Sequence, residues 1–408
     1  MGHEMASKDL QNLLKKQEQK SLLRFITCGS VDDGKSTLIG RLLYDSKQIF
    51  DDQLETLKSD SQKIGTQRND IDFALLVDGL SAEREQGITI DVAYRYFATD
   101  GRKYIVADTP GHEQYTRNMA TGASTADLAI ILIDARKGVL TQTRRHSFIV
   151  SQLKVQNIIL AINKMDLVDY AQETFDQIAA DYISFAEEIG LSTINAIPIS
   201  ALKGDNIFEQ SNQMGWYQGP TLMAQLESVE VEAASLEAPF RFPVQWVNRP
   251  DLDFRGFSGT ITSGQVKVGD KIVALPSAKT NKIARIVTYD GDLDHAIEGQ
   301  AITLVLEDEI DISRGDVLAS TNDRPEVTDQ FMAHLLWMAD EPMLPSRPYL
   351  LKTGNKTVTA SITELKHKIN VNTLAQEAVK SLALNEFGVC NFFLDTPIAF
   401  DVFSADKQ

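Results

Sequence analysis

The segment Gly29-Ser-Val-Asp-Asp-Gly-Lys-Ser36 matches the phosphate-loop pattern G-x-x-x-x-G-K-[ST] at every fixed position. Glycines let the backbone curve around an anion, so that amide N–H groups and the N-terminus of the following helix face the phosphates. Lys35 adds a full positive charge, and the Ser36 hydroxyl is suited to hold Mg2+. The residues predicted to contact the phosphates are Gly29, Ser30, Val31, Asp32, Asp33, Gly34, Lys35, Ser36 and Thr37.

A second motif, Asp108-Thr-Pro-Gly-His112, follows the apolar run Tyr104–Ala107. Asp108 is predicted to be a Walker B acid that reaches Mg2+ through the water shell of the metal, because Mg2+ keeps several waters and takes one or two carboxylates. The Gly111 N–H is placed to donate a hydrogen bond to a γ-phosphate oxygen. The predicted nucleotide contacts of this motif are Asp108, Thr109, Pro110, Gly111 and His112.

A third motif, Asn163-Lys-Met-Asp166, indicates which base is bound. A carboxylate at Asp166 can accept from the ring N1–H and the exocyclic amine of guanine, a pattern that adenine does not offer, while the Lys164 stem lies along the base. Taken alone, the tetrad could equally be a plain turn at the start of a helix. Ser200-Ala-Leu202 is similar to the loop that closes over guanine in GTP-binding enzymes. The predicted base contacts are Asn163, Lys164, Met165, Asp166, Ser200, Ala201 and Leu202.

These motifs need strands to bring them together, and each follows an apolar run of strand length. Leu22–Cys28 precedes the phosphate loop, Val155–Ile162 precedes Asn163, and Ala196–Ile199 precedes Ser200. Ligands of open α/β sheets bind at the carboxyl ends of the strands, so the motifs are predicted to meet there. The sequence therefore predicts an α/β P-loop GTPase domain, a mostly parallel sheet with helices on both faces, with Asp91–Phe97 as an antiparallel edge.

The pattern changes after Pro239, where short β-rich runs alternate with glycine turns. This spacing is typical of small β-barrels. We therefore predict two β-barrel domains after the α/β domain, and the sequence leaves open whether the last is complete at its C-terminus. The predicted divisions are a polar N-terminal arm at 1–20, a GTP-binding domain at 21–236, and barrels at 238–325 and 327–408.

The amino-acid composition limits the classes of partner and the compartment that we expect for this protein. Forty Lys and Arg against 57 Asp and Glu give a net charge of -17, which does not favour broad contact with phosphate backbones, so no nucleic-acid partner is expected. The sequence has no run of about 18 apolar residues, so no membrane contact is expected. Two cysteines, Cys28 and Cys390, argue against a disulfide framework and favour a cytoplasmic protein.

The motifs together resemble those of the elongation factor Tu and 1A group of GTPases. Two further stretches match the same group: Glu83-Arg-Glu-Gln-Gly-Ile-Thr-Ile90, and Arg255–Asp270, which matches its second domain. Within that group the chain is most similar to the GTPase subunits of bacterial ATP sulfurylases. Ser30 and Asp33 stand where elongation factor Tu has two histidines. The stretches that carry this narrower resemblance are Leu75–Leu80, Asp91–Phe97 and Phe242–Asp251.

The resemblance implies an activity and a partner. In that family the GTPase pairs with a smaller catalytic subunit of sulfate adenylyltransferase, which makes adenosine 5'-phosphosulfate and pyrophosphate from ATP and sulfate, and GTP hydrolysis drives the unfavourable step. The implied cofactors are GTP/GDP and Mg2+, and the implied metal-site residues are Ser36, Thr89 and Asp108. The implied catalytic residues are Lys35, Thr89, Gly111 and His112.

Within this resemblance, His112 is expected to orient the attacking water, screened by Val31 and Ile88 until a partner acts. The phosphate loop contains no arginine, so intrinsic hydrolysis is expected to be slow. Two other classes share the architecture: a translation factor that carries aminoacyl-tRNA, and a regulatory module whose GTP hydrolysis only times an interaction. Asp32 is a further candidate, for binding a monovalent cation near the phosphates.

Overall fold

A computed structural model of the chain describes residues 20–47, 73–77, 89, 91–230, 237–251 and 254–403. The chain divides into two compact units, Met1–Val231 and Glu232–Gln408. The α-helices of the described residues all lie in the first unit, and none of them has the length and apolar character needed to cross a bilayer. They are α1 Lys35–Asp45, α2 Thr116–Ala123, α3 Thr141–Gln152, α4 Gln172–Glu188 and α5 Leu222–Ser228.

The first unit is built on one six-stranded sheet with the order β2-β3-β1-β4-β5-β6. All neighbouring strands run parallel except β2, which pairs antiparallel with β3 at one edge. The predicted α/β class, including the antiparallel edge near Asp91–Phe97, is confirmed. The strands are β1 Ser21–Cys28, β2 Ala93–Ala98, β3 Arg102–Asp108, β4 Leu128–Asp134, β5 Asn157–Asn163 and β6 Thr193–Pro198.

The buried residues of this unit hold in place the edge of the sheet at which the motif loops lie. Every residue of β4 is buried, as expected for a central parallel strand covered on both faces. On α1, Leu38, Ile39 and Leu42 are fully buried against the sheet, which is the helical spacing that the sequence displays. The carboxyl ends of β1, β3, β4 and β5 therefore lie side by side, and the loops that follow them meet at one edge.

The second unit begins with a seven-stranded antiparallel sheet of order β10-β15-β7-β8-β14-β11-β12, in which β10 also pairs with β11 and closes a ring. A separate ribbon pairs β13 with β9. Apolar residues such as Phe242, Phe257 and Leu318 fill the interior. The strands are β7 Arg241–Asn248, β8 Gly256–Thr260, β9 Gln265–Lys267, β10 Lys271–Leu275, β11 Lys279–Thr288, β12 Gly291–Leu293, β13 His295–Ile297, β14 Ala301–Leu306 and β15 Val317–Ser320.

A second β-rich region of this unit has the strand order β16-β20-β18-β17, with β19 paired to β18. Arg241 on β7 joins the two regions, because its guanidinium pairs with Asp323 at 3.0 Å and with Asp401 at 2.6 Å. The β-rich character predicted for the C-terminal part is confirmed. The strands are β16 Glu326–Leu336, β17 Pro348–Thr353, β18 Lys356–Ile369, β19 Gln376–Glu377 and β20 Phe387–Phe400.

Candidate nucleotide-binding site

The turns that follow β1 and β3 are close-packed, and each requires glycine at one point. Gly34 has φ +93°, in the left-handed region, and a Cβ there would lie 2.5 Å from Asn163 Nδ2. A Cβ on Gly111, in the neighbouring turn after β3, would lie 2.8 Å from the carbonyl carbon of Ser30. The absence of side chains at these positions leaves backbone at the surface of the cradle, as close approach to a phosphate requires.

Polar groups inside the loop hold its curvature. The Ser30 N–H donates to Asp33 Oδ2 at 2.6 Å, and Lys35 Nζ donates to the carbonyl oxygens of Gly29 and Ser30 at 3.3 and 2.8 Å. Burial raises the pKa of Asp33 against the opposing charge of Lys35, and burial lowers the pKa of Lys35 against the nearby carboxylates. Among the described residues the buried Ser30 hydroxyl has no hydrogen-bond partner, so this donor fits a phosphate oxygen.

Three oxygen-bearing side chains meet beside the start of α1. Ser36 Oγ donates to Asp108 Oδ2 at 2.7 Å, and Thr89 Oγ1 lies 3.3 Å from Ser36 Oγ and 3.5 Å from Asp108 Oδ2. Two hydroxyls and one carboxylate form an all-oxygen donor set, which is the chemistry that Mg2+ prefers. The residues present therefore fit the metal that the sequence predicts.

The turn after β3 has a buried part and an exposed part. Thr109 Oγ1 donates to the Thr27 carbonyl at 2.5 Å, and Pro110 and Gly111 are buried. His112 is exposed, and its Nδ1 accepts a hydrogen bond from the Gln114 N–H at 3.4 Å, capping the 3-10 helix Glu113–Tyr115. In this arrangement the His112 imidazole hydrogen-bonds within its own turn. Val31, its expected screen, is half-buried, and Ile88 lies outside the described residues.

Asn163 joins the phosphate loop to the predicted base-binding loops. Its Nδ2 donates to the Asp33 carbonyl at 2.8 Å, and its Oδ1 accepts from the Ala201 N–H at 2.9 Å. Ser200 Oγ donates to Asp166 Oδ1 at 2.7 Å. The structure therefore brings the N-K-M-D motif and the Ser200–Leu202 loop into direct contact. Two further anchors are the buried Met165, whose N–H donates to Ile199, and Leu202, whose carbonyl accepts from Arg41 at 3.3 Å.

Asp134, at the end of β4, is a residue that sequence reasoning missed. Its Oδ2 lies 3.1 Å from Lys164 Nζ, and both of its oxygens accept from the Arg136 guanidinium at 3.0 and 2.6 Å. Burial would raise the pKa of Asp134, but the hydrogen bonds from Arg136 and Lys164 outweigh it and hold the pKa at about 2. The signal was present, since Leu128–Ile133 is an apolar run that ends in a carboxylate, as Tyr104–Ala107 is.

Lys164 links this carboxylate to the phosphate loop. Its backbone has φ +65°, and its Nζ donates a hydrogen bond to the Asp32 carbonyl as well as pairing with Asp134. The end of the lysine side chain is thus fixed by groups from two loops. An anchored lysine stem offers an apolar surface along which a base could lie.

His146 on α3 is the second missed residue. It is fully buried, and its Nδ1 accepts a hydrogen bond from the Gly29 N–H at 3.2 Å. Burial, together with the positive charges of Lys35 and Arg145, lowers the pKa of His146 to about 3, so the ring is neutral at physiological pH. A histidine within a helix has no sequence spacing that connects it to a phosphate loop, so no signal in the sequence pointed to this contact.

Comparison with known protein families identifies the type of each part of the chain. The family model "Elongation factor Tu GTP binding domain" matches residues 20–238, "Elongation factor Tu domain 2" matches 257–319, and "GTP-eEF1A C-terminal domain-like" matches 330–408. The first of these matches alone covers more than half of the 408 residues. The chain therefore has a GTP-binding domain of the elongation factor Tu type.

Curated relatives narrow the family. "Sulfate adenylyltransferase subunit 1" of Aeromonas salmonicida (strain A449) is 57% identical over 400 residues, 98% of this chain and 85% of the relative. "Bifunctional enzyme NodQ" of Rhizobium sp. (strain N33) is 60% identical over 408 residues, and "Bifunctional enzyme CysN/CysC" of Xylella fastidiosa (strain Temecula1 / ATCC 700964) is 57% identical over 394 residues. The chain spans 63% of the length of each bifunctional relative. The resemblance found in the motifs is confirmed: this chain belongs to the sulfate adenylyltransferase subunit 1 family of elongation-factor-Tu-like GTPases.

Proposed function

We propose that this chain is the GTP-hydrolysing, energy-coupling subunit of a sulfate adenylyltransferase. The observation that carries the proposal is the junction made by Asn163, whose amide hydrogen-bonds both the phosphate loop and the loop at Ala201. This junction supports a site in which the phosphate loop and Asp166, the side chain that we propose reads guanine, lie at one sheet edge. Hydrolysis of GTP in that site would drive a partner subunit to form adenosine 5'-phosphosulfate and pyrophosphate from ATP and sulfate.

The nucleotide would be held at both ends. Backbone amides of the phosphate loop other than those of Gly29 and Ser30, which donate to His146 and Asp33, would bind the phosphates together with the ammonium of Lys35. The N-terminus of α1 adds partial positive charge there. Asp166, oriented by the Ser200 hydroxyl at 2.7 Å, would accept from the N1–H and amine of guanine. The stem of Lys164, tethered by Asp134, would lie along the ring.

Mg2+ would be held by the hydroxyls of Ser36 and Thr89, with Asp108 acting through water. When bound, it would neutralise charge that develops on the β- and γ-phosphates. The hydroxyls already lie within 3.3 Å of each other and Asp108 lies within 3.5 Å of both, so the side chains are close enough to share one ion. Their convergence supports the metal assignment, which binding measurements can test directly.

Hydrolysis would depend on the turn after β3. The Gly111 N–H would donate to a γ-phosphate oxygen, and His112 would orient the attacking water after leaving its present hydrogen bond to the Gln114 N–H. That bond is long, at 3.4 Å, and the ring is exposed, so little opposes its rotation. A partner that moves His112 would therefore accelerate turnover, and intrinsic hydrolysis would be slow.

The partner we propose is the smaller catalytic subunit of sulfate adenylyltransferase, in a heterodimer or larger assembly, and the compartment we propose is the cytoplasm. The subunit number in the relatives' names supports a multi-subunit enzyme. The net charge of -17 supports a protein partner over a nucleic acid.

The test is GTP turnover by the purified full chain, measured alone and with the cognate small subunit, ATP, sulfate and pyrophosphatase. Turnover should rise only when partner and both substrates are present, and the matched control omits sulfate. Stimulation by the partner that is indifferent to sulfate would favour a regulatory module. Retention of aminoacyl-tRNA, without any response to sulfate, would favour a translation factor.

A further inference from the structure

One turn of α3 contacts both loops that face the proposed phosphates. Arg145 Nη1 lies 2.8 Å from Glu113 Oε1, in the residue directly after His112. The adjacent residue, His146, accepts from the N–H of Gly29, the first residue of the phosphate loop, at 3.2 Å. Consecutive residues of one helix make these contacts. A shift of either loop along α3 would therefore disturb the ion pair or the hydrogen bond that holds that loop.

Gln142 lies between these two side chains, one turn earlier on the helix. Its Oε1 accepts from Arg145 Nη1 at 3.0 Å, and its Nε2 lies 3.3 Å from His146 Nε2. The Gln142 amide therefore presents its oxygen to the arginine and its nitrogen to the histidine.

Counting donors shows that these contacts compete. A backbone N–H can only donate, so the bond from Gly29 requires His146 Nδ1 to be the acceptor. A neutral imidazole has one acceptor, so Nε2 carries the proton and needs an oxygen opposite it. As placed, the Gln142 oxygen faces Arg145 and the Gln142 nitrogen faces His146, so a half-turn of the amide that brings the oxygen to His146 removes it from Arg145. Strengthening the bond to Arg145 must therefore weaken the support for His146.

We propose that His146 and Arg145 are positioning residues of the GTPase site, coupled through Gln142. His146 fixes the amide of Gly29 and with it the start of the phosphate loop. Arg145 fixes Glu113 and with it the turn that carries His112. The inference rests on the proposed function, because it assigns roles within that site. Burial and the neighbouring charges of Lys35 and Arg145 keep the pKa of His146 near 3, which maintains the acceptor.

The first test measures release of a fluorescent GDP analogue from the full chain by stopped flow. His146→Ala should release it about fivefold to tenfold faster, since a buried hydrogen bond to the loop is lost. His146→Asn should restore slow release, because its Oδ1 can take the place of Nδ1. Val150→Ala, on the same helix and fully buried, is the control: it should lower the Tm without changing the release rate.

The second test concerns Arg145. Arg145→Ala should slow single-turnover GTP hydrolysis about fivefold to tenfold, because the His112 turn loses its ion pair. It should also slow nucleotide release by about twofold, since Gln142 is then free to support His146, and that slowing should vanish when His146→Ala is present. Arg144→Ala is the matched control, because the Arg144 guanidinium lies over the Phe185 ring at 4.6 Å, away from both loops.

The results distinguish a failure of the proposed function from a failure of the positioning role. If the wild-type chain binds neither GTP nor GDP, the proposed function is wrong. If it binds and hydrolyses GTP but His146→Ala releases GDP at the wild-type rate, or Asn does not rescue, the positioning role is overturned. Nitrogen-15 NMR of the His146 ring gives a readout that needs no activity: Nδ1 should be unprotonated and Nε2 protonated, and the opposite tautomer would also overturn the inference.

Discussion

Asp134 and Lys164 form an ion pair of 3.1 Å between the ends of two neighbouring parallel strands. Asp134 is completely buried and also receives two hydrogen bonds from Arg136, so its charge is balanced by two cations. A buried carboxylate with such partners is stabilising only while they remain, because removing one leaves an uncompensated charge. The pair therefore ties the predicted base-contacting lysine to the interior of the sheet.

The first prediction concerns the pH dependence of this pair. The folded pKa of Asp134, about 2, lies below its ordinary value of 3.8, so the carboxylate contributes stability above pH 4 that is lost as pH falls toward 2. Asp134→Asn should lower the free energy of unfolding at neutral pH by about 2 kcal/mol, the value that corresponds to this pKa shift. The difference from the wild-type chain should shrink between about pH 4 and pH 2. Urea unfolding at several pH values measures this, and a difference that grew on acidification would contradict it.

The second prediction concerns the choice of base. Asp166→Asn should shift preference from guanine toward xanthine nucleotides, because the amide presents a donor where the carboxylate accepted. Calorimetric titration with GDP and xanthosine diphosphate measures the ratio of the two affinities. Ser200→Ala is the control: it removes the hydrogen bond to Asp166 Oδ1 and should weaken GDP binding without reversing the preference. An unchanged ratio in Asp166→Asn would remove Asp166 from base recognition.

The third prediction concerns hydrolysis. His112→Ala should lower partner-stimulated GTP turnover about 100-fold or more, the usual scale for a group that positions or activates a water. Affinity for GTP should stay nearly constant, since the exposed ring hydrogen-bonds its own turn. Gln114→Ala retains the backbone N–H that His112 contacts and should leave turnover unchanged. Equal turnover in wild type and His112→Ala would exclude the role.

The fourth prediction concerns the metal. Ser36→Ala should weaken the effect of Mg2+ on GDP affinity at least about tenfold, because one of the two hydroxyls beside Asp108 is lost. Ser36→Thr keeps the hydroxyl and should keep the effect. Titrations with Mg2+ and with EDTA provide the comparison. If GDP affinity responded to Mg2+ equally in all three chains, Ser36 would not be a metal ligand.

The positions of the motifs at the ends of strands could be predicted because each motif is contiguous in the sequence. Gly29–Ser36 and Asn163–Asp166 each carry their residue types at fixed spacing, and an apolar strand precedes each one. The parallel sheet followed from the same pattern, since strands that alternate with helices must pair in parallel. The antiparallel β2 followed from the alternation between Asp91 and Phe97.

What only the tertiary structure decided is which distant side chains support those motifs. The Gly29–His146 contact joins residues 117 apart, and the Asn163–Asp33 contact joins residues 130 apart. The strand order β1-β4-β5 sets Asp134 beside Lys164, and nothing in the spacing of either motif specifies that order. Spacing along a chain determines contacts within one turn or strand, whereas contacts across a sheet depend on how the whole core packs.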